Sequence, residues 1–144
     1  MEDRALEIVD VTNDGRVLVC GVLDGHGGEE AVEFLRLNLP ELLVALYPDN
    51  KNNIKEYFTQ VFSEVNEKLR SKNYLNQGSC ICLLLLRAEY KSGGILEKWG
   101  EESQEKRVVK AYTANLGDTR AVLNKKREAI RLSYDHKATD LQEQ

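Results

Sequence analysis

An apolar run that stops at the sequence Asp-Gly-His-Gly-Gly constrains this chain more than any other feature. The run covers residues 17–23 and contains several β-branched valines, so it predicts a buried β-strand. Asp24 stands at the tip of that strand, and the glycines around His26 let the backbone turn sharply or approach a ligand closely. A helical pattern starts at Glu29. The stretch therefore predicts a polar site at the end of a buried strand.

The composition is that of an ordinary folded domain. The 144 residues are 42% hydrophobic and 31% charged, and the net charge of −4 argues against a protein that neutralises nucleic-acid phosphates. No apolar stretch has the length of a signal peptide or a membrane span. We therefore expect a cytoplasmic or nuclear monomer that binds neither nucleic acid nor membrane. The chain has three cysteines, Cys20, Cys80 and Cys82. Their odd number and their spacing argue against a disulfide framework and against a cysteine zinc site.

The remaining pattern alternates strands with two helices. Pro40 predicts either a kink or the start of a new helix capped by Asn38. Asn52 or Asn53 is the predicted cap of the second helix. Residues 88–106 form a long polar excursion that Ile95, Leu96 and Trp99 anchor. We predict helices over residues 29–50 and 53–71, and the first helix ends at Tyr47-Pro48-Asp49-Asn50. The strand at residues 119–123 is expected to pair with the strand at residues 107–114 as a hairpin. The predicted strands cover residues 5–11, 17–23, 80–86, 107–114, 119–123 and 127–132.

A predicted hairpin brings three acidic residues to one edge. Residues 12–15, Thr-Asn-Asp-Gly, favour a tight turn between the first two strands. Residues whose numbers sum to about 29 then lie opposite each other, which puts Asp24 level with residue 5. Glu2 and Asp3 lie two or three strand positions further along. The three carboxylates therefore gather at one end of the hairpin.

These acidic residues suit a hard divalent cation. Carboxylates of Glu2, Asp3 and Asp24, together with the carbonyl oxygen of Gly25, favour Mg²⁺ or Mn²⁺ over zinc. His26 lies next to that edge, and an imidazole can donate a proton to a leaving oxygen near neutral pH. From the residues alone, an alternative stays open. Asp24 and Gly25 could simply make a turn, with Glu2 and Asp3 in a solvated terminus.

Five segments carry a resemblance to a known family. Residues 24–28 resemble the Asp-Gly-His-Gly/Ala-Gly motif of the metal-dependent Ser/Thr protein phosphatases, the PPM or type 2C family. Cys80 stands where that family has Thr in a Gly-Ser-Thr strand start. The other segments are similar to the family's motifs in the same order: residues 1–3 to Met-Glu-Asp, residues 78–80 to Gly-Ser-Thr, residues 114–123 to the Ala-Asn-x-Gly-Asp-Ser-Arg hairpin, and residues 132–137 to Leu-Ser-x-Asp-His.

The resemblance implies an α+β fold, namely part of a four-layer α-β-β-α sandwich of antiparallel sheets flanked by helices. It also implies two Mg²⁺ or Mn²⁺ ions per complete site, which activate a bridging water. That water would attack phosphoserine or phosphothreonine in a phosphorylated protein substrate, without a phosphoenzyme. The implied activity is that of a protein serine/threonine phosphatase.

The resemblance also assigns roles to individual residues. Asp24 would bridge the two metals, and Gly25 would ligate one of them through its carbonyl oxygen. Glu2 and Asp3 would hold metal-bound waters, while His26 would act as the general acid.

Asp118 would help to bind a third, weaker metal, although it could equally be a turn residue that satisfies its own backbone. The family's later Asp-Gly-Leu/Ile-Trp-Asp and Asp-Asn motifs do not occur in residues 1–144, nor does the phosphate-binding Arg that precedes Met-Glu-Asp. We therefore expect a partial phosphatase domain, either a fragment or a truncated isoform. The alternative is a catalytically inactive pseudophosphatase or adaptor that binds signalling partners.

Overall fold

The described part of the chain forms one antiparallel sheet, two helices and a separate hairpin. The computed structural model describes residues 2–74 and 76–137. The sheet has the strand order β1-β2-β3-β4, and β5 pairs with β6 in the hairpin. The mixed α+β class is the one expected. The elements are β1 Arg4–Asp10, β2 Val17–His26, α1 Glu29–Asn50, α2 Ile54–Ser71, β3 Gly78–Tyr90, β4 Arg107–Leu116, β5 Val122–Lys125 and β6 Glu128–Arg131.

The hydrophobic core lies between the helices and one face of the sheet. Helix α1 packs on β1, β2 and β3, and α2 packs beside α1. Because side chains alternate along a strand, the opposite sheet face carries a second set of apolar residues. Two of these, Val22 and Val109, are 49% and 70% exposed. The core side chains with no more than 2% exposure include Val17, Val19, Leu23, Val32, Leu35, Leu39, Leu43, Tyr57, Val61, Ile81, Leu83 and Leu85.

Helix α1 runs without interruption through both of its prolines, Pro40 and Pro48. Of the two alternatives at Pro40, the start of a new helix capped by Asn38 is wrong, whereas the predicted end of the first helix at Asn50 is confirmed. The Asn38 side chain instead donates to the Phe34 carbonyl oxygen at 2.7 Å. A proline interrupts only its own turn of the hydrogen-bond ladder, and the continuous buried stripe of α1 against the sheet keeps the helix together.

Helix α2 begins where its cap was predicted. The Asn53 side chain accepts a hydrogen bond from the Glu56 backbone N–H at 3.2 Å, which satisfies one free donor of the first turn. Among the described residues, neither α1 nor α2 combines the length and the apolar character that a membrane-crossing helix requires.

The last three strands pair differently from the prediction. Residues 119–123 were expected to form a hairpin with β4, but β4 pairs with β3, as in Leu85↔Tyr112. Strand β5 pairs with β6 instead. Lys126 and Arg127 both have positive φ in the turn between them, which suits the twist of a tight hairpin. The chain therefore leaves the sheet after β4, which is an edge strand of the sheet that the described residues form.

The polar excursion is anchored as predicted. It is shorter than expected, since β3 extends to Tyr90. Leu96 is only 1% exposed, and Ile95 forms a β-bridge with Glu89. The Trp99 indole N–H donates to the Asp14 carbonyl oxygen at 2.6 Å. These contacts fasten the loop to the β1–β2 turn, at the end of the sheet opposite Asp24.

Candidate metal centre

The β1–β2 register brings Asp24 beside Asp3. The pairs Arg4↔Leu23 and Ala5↔Val22 continue along the hairpin, and a bulge shifts the register between Leu6 and Val9. Asp24 therefore lies one position beyond Leu23, beside Asp3, and not level with residue 5 as predicted. The hairpin places these two carboxylates closer together than the predicted register did.

Gly25 lets the N-terminal segment approach the strand. A Cβ atom at this position would lie 2.7 Å from the Glu2 carbonyl oxygen and 2.9 Å from the Val32 side chain. Contacts under 3.0 Å are not tolerated by real Cβ atoms. The backbone of Glu2 therefore reaches the strand tip only because residue 25 has no side chain.

Three side chains from different elements meet at this tip. Asp24 of β2 lies opposite Cys80 of β3, and the turn after β4 brings Asp118 to the same place. One ligand atom from each residue, a carboxylate oxygen or the Cys80 sulfur, lies within 4.8 Å of the other two. The Cys80 Sγ donates to Asp118 Oδ1 at 3.5 Å. The group offers two hard oxygen donors and one soft sulfur donor.

Gly117 fixes the position of Asp118 over Cys80. Its φ of +91° is in the region that favours glycine, and a Cβ there would lie 2.3 Å from the Cys80 Sγ. The Gly117 carbonyl oxygen accepts hydrogen bonds from the Asn115 side-chain amide at 2.9 Å and from the His136 backbone N–H at 2.8 Å. The Asn-Leu-Gly-Asp segment therefore forms a turn that sits directly on the cysteine.

The charge of this group is not balanced within the described chain. Within residues 2–74 and 76–137, no lysine or arginine forms an ion pair with Asp24 or Asp118. Burial raises the pKa of the Cys80 thiol, and the carboxylates of Asp118 and Asp24 raise that pKa further by disfavouring a thiolate beside them. Two carboxylates so close together, beside a neutral thiol, fit a divalent cation.

The other predicted residues lie around this group without belonging to it. Asp3 lines a shallow cavity of about 460 Å³ together with Asp24 and Thr119. Neither Glu2 nor Asp3 is one of the three grouped residues.

His26 lies two residues beyond Asp24, at the end of β2. Its imidazole packs against Gly78, where a Cβ would come within 2.7 Å of Nε2. The same ring lines a second cavity of about 460 Å³ with Gln77 and Arg70. The structure thus brings Asp24 and Asp118 together, while the roles of Glu2, Asp3, Gly25 and His26 stay predictions.

Cys80 was not predicted as a site residue. Its apolar surroundings in the sequence favoured a small buried residue, and cross-strand register cannot be read from one strand alone. The available signal was the alternation of β3, which puts Cys80 at the first apolar position after Gly78-Ser79, at the same end of the sheet as Asp24.

The fold and the grouped donors define a protein of mixed α+β class that presents carboxylates for a divalent cation at the tip of an antiparallel sheet. The chain belongs to the protein phosphatase 2C family, whose family model, Protein phosphatase 2C, matches residues 1–144. The resemblance seen in the motifs is thereby confirmed.

Known relatives agree with this assignment. The chain is 30% identical over 144 residues to Protein phosphatase 2C homolog 1 of Schizosaccharomyces pombe, covering 99% of this chain and 38% of that protein. It is 33% identical over 155 residues to Protein phosphatase 1L of Bos taurus, covering 99% of this chain and 37% of that one. The chain thus spans well under half the length of these relatives.

A solved structure shows the same fold. The crystal structure of a phosphatase from Toxoplasma gondii matches with a TM-score of 0.75 at 21% identity, covering 98% of this chain and 48% of that chain. At this level of identity the likeness shows the fold alone.

Proposed function

We propose that this chain supplies one part of the active site of a Mg²⁺- or Mn²⁺-dependent protein serine/threonine phosphatase. The observation that carries this proposal is the meeting of Asp24 and Asp118, with ligand atoms within 4.8 Å, in a chain of the 2C family. The substrate would be phosphoserine or phosphothreonine in a protein. Because the chain spans well under half of its relatives, we expect full activity only from the protein in its natural length.

The carboxylates would hold cations and not phosphate. A phosphate monoester carries negative charge, so Asp24 and Asp118 would repel it unless a cation lies between them and the substrate. Asp24 comes from a strand and Asp118 from a glycine-fixed turn, so both are positioned before an ion binds. When bound, a pair of divalent cations lowers the pKa of water and offsets the charge of the phosphoryl group.

The surrounding residues would complete the work of the site. Asp3, beside Asp24 at the rim, and Glu2 would orient water next to the ions. The Gly25 carbonyl oxygen would add a neutral donor. His26, at the strand tip, would donate a proton to the leaving serine or threonine oxygen, which otherwise departs as a poorly stabilised alkoxide.

The test is release of phosphate from a phosphothreonine peptide with and without Mn²⁺. We expect Mn²⁺-dependent activity from the natural-length protein, and a loss of at least about 100-fold in Asp24→Asn. Asp49→Asn is the matched control, since Asp49 is an exposed aspartate at the far end of α1. We expect the 144-residue chain alone to release phosphate far more slowly.

Two outcomes would count against the proposal. Equal activity of wild type and Asp24→Asn would remove this group from the reaction. A natural-length protein that releases no phosphate, yet still binds protein partners after Asp24→Ala, would favour the adaptor interpretation.

A further inference from the structure

The sulfur of Cys80 lies beside the carboxylates of Asp24 and Asp118, and a sulfur ligand changes which metal ions a site prefers. Cys80 lies opposite Asp24 across the β2–β3 pair and in hydrogen-bond contact with Asp118. We propose that the Cys80 sulfur is a third protein ligand for the ion held by Asp24 and Asp118. The site would then favour Zn²⁺, Co²⁺ or Cd²⁺ over Mg²⁺ and Mn²⁺ more strongly than a site with threonine at position 80. This inference rests on the metal site of the proposed function, not on hydrolysis.

The distances fit a single ion bound by all three residues. Zn–S bonds are about 2.3 Å and Zn–O bonds about 2.0–2.2 Å, so two donors at a tetrahedral angle on one ion lie roughly 3.3–3.7 Å apart. The three ligand atoms already lie within 4.8 Å of one another. Cys80 Sγ and Asp118 Oδ1, 3.5 Å apart, already have this separation, and rotation of the exposed Asp24 side chain by up to roughly 1 Å brings in its carboxylate without moving a strand.

The backbone holds the sulfur in this position. The β2–β3 register fixes Cys80 opposite Asp24, and Gly117 packs so closely on Cys80 that a Cβ there would lie 2.3 Å from the sulfur. The thiol hydrogen is directed at Asp118 Oδ1 over 3.5 Å. When an ion takes the place of that hydrogen, a metal–sulfur bond forms and one proton leaves to the solvent.

The chemistry of sulfur then decides the selectivity. A thiolate is a soft ligand that favours Zn²⁺ and its neighbours, whereas carboxylate and water favour Mg²⁺ and Mn²⁺. The family motif has a threonine hydroxyl where this chain has Cys80, and a hydroxyl gives no such preference. Zn²⁺ would therefore displace Mn²⁺ from this site more readily than from one with threonine at position 80.

A Co²⁺ titration tests the sulfur ligand directly, because a cobalt–thiolate bond produces a charge-transfer absorption that carboxylate ligands do not. We expect this band in the wild-type chain and its loss in both Cys80→Ser and Cys80→Thr. The affinity for Zn²⁺, measured by competition with Co²⁺, should fall by about 10–100-fold in these variants. Mn²⁺ affinity, measured by calorimetry, should change by less than about threefold.

Matched controls come from the same sheet. Cys82 lies two residues further along β3, opposite Val22, and Cys20 lies on β2 opposite Leu84. Cys82→Ser and Cys20→Ser should keep the band, while Asp118→Asn should weaken Co²⁺ binding with the thiol still present. Circular dichroism of each variant checks that the fold is retained, and the conservative Cys80→Ser change keeps the test valid if Cys80→Thr does not fold.

Three results would overturn the inference: Co²⁺ binding by the wild type without the band, a band that survives Cys80→Ser, or unchanged Zn²⁺ affinity in both Cys80 variants. Co²⁺ binding through carboxylates alone would leave the proposed phosphatase function intact. Conversely, a thiolate band in a protein that releases no phosphate would support the sulfur ligand and count against the phosphatase proposal.

Discussion

Acidic side chains lie at both ends of strand β3, but only those at one end are neutralised by basic side chains of the described chain. At the far end, Glu89 is only 1% exposed, and it forms ion pairs with Arg87 at 2.7 Å and Lys110 at 2.6 Å. The Tyr112 hydroxyl also donates to it at 2.6 Å. At the Cys80 end, two exposed carboxylates meet, and within the described parts of the chain no lysine or arginine pairs with either.

This difference separates a structural charge from a binding site. Burial alone would raise the pKa of Glu89, but hydrogen bonds from Lys110, Tyr112 and Arg87 outweigh it and hold that pKa below its ordinary value. Glu89 is therefore a carboxylate neutralised by the chain itself. The carboxylates at the other end need a cation from outside, as expected for a functional site that is not optimised for stability.

Replacing Glu89 should have the largest effect on stability. Glu89→Gln leaves the Arg87 guanidinium, whose side chain is 7% exposed, buried without its carboxylate. Breaking a buried ion pair in this way costs about 3–5 kcal/mol, which we expect as a lower free energy of unfolding in urea.

The exposed pair between Lys51 and Glu97 provides the control, since Glu97→Gln should cost less than about 1 kcal/mol. Similar losses from the two substitutions would show that the Glu89 network is no more than a surface ion pair.

Replacing Asp24 should lower the free energy of unfolding only when Mn²⁺ is present, unlike the replacement of Glu89. With Mn²⁺ at about 100 times its dissociation constant, the wild type should gain about 2.7 kcal/mol of stability from binding. Asp24→Asn should lose this gain. Without ions it should be at least as stable as the wild type, because one of two neighbouring carboxylates is gone.

The measurement is urea unfolding of both proteins with Mn²⁺ and with a chelator. An ion-free Asp24→Asn protein that is clearly less stable than the wild type would contradict the distinction between the two ends, because Asp24 would then support the fold itself.

A smaller effect is expected at Gly117. A methyl group there meets the Cys80 sulfur, whereas at Gly15, with a similarly positive φ of +75°, nothing lies within 4 Å. Gly15→Ala therefore measures the backbone strain alone. We expect Gly117→Ala to cost about 1–3 kcal/mol more than Gly15→Ala in the free energy of unfolding, and to weaken Mn²⁺ binding as well. Equal costs would show that the turn can shift away from Cys80.

The sequence predicted local features of the fold better than pairings. The apolar run at residues 17–23 and the Asn53 cap each encode their element in a few neighbouring residues, and both were confirmed. The pairing of β4 with β3, and the passage of α1 through Pro40, depend on contacts distant in sequence. Periodicity and propensity do not contain that information.

The candidate site shows the same division. Asp24 stood out because it ends a buried strand at glycines, a pattern visible within ten residues. The residue opposite Asp24 on β1 was mispredicted, because the sequence of the turn does not reveal the bulge between Leu6 and Val9. Cys80 was not predicted as a metal ligand because that role comes from the residue across the sheet and from a turn nearly forty residues later, as its contact with Asp118 shows.

The smallest expected effect concerns a compensated carboxylate on the surface. Glu33 of α1 accepts hydrogen bonds from Arg36 and from Arg4 of β1, and these, the Arg36 bonds foremost, lower its pKa from 4.5 to about 2. The unfolded chain therefore binds the proton first. The contribution of Glu33 to the free energy of unfolding is fully present above pH 4.5 and is lost as the pH falls towards 2.

Urea midpoints at pH 7, 4 and 3 should fall less steeply in Glu33→Gln than in the wild type. Glu41→Gln, at an exposed position on the same helix, should leave the slope unchanged. Parallel slopes for all three proteins would show that acid loosens the fold through other carboxylates and not through the β1–α1 contact.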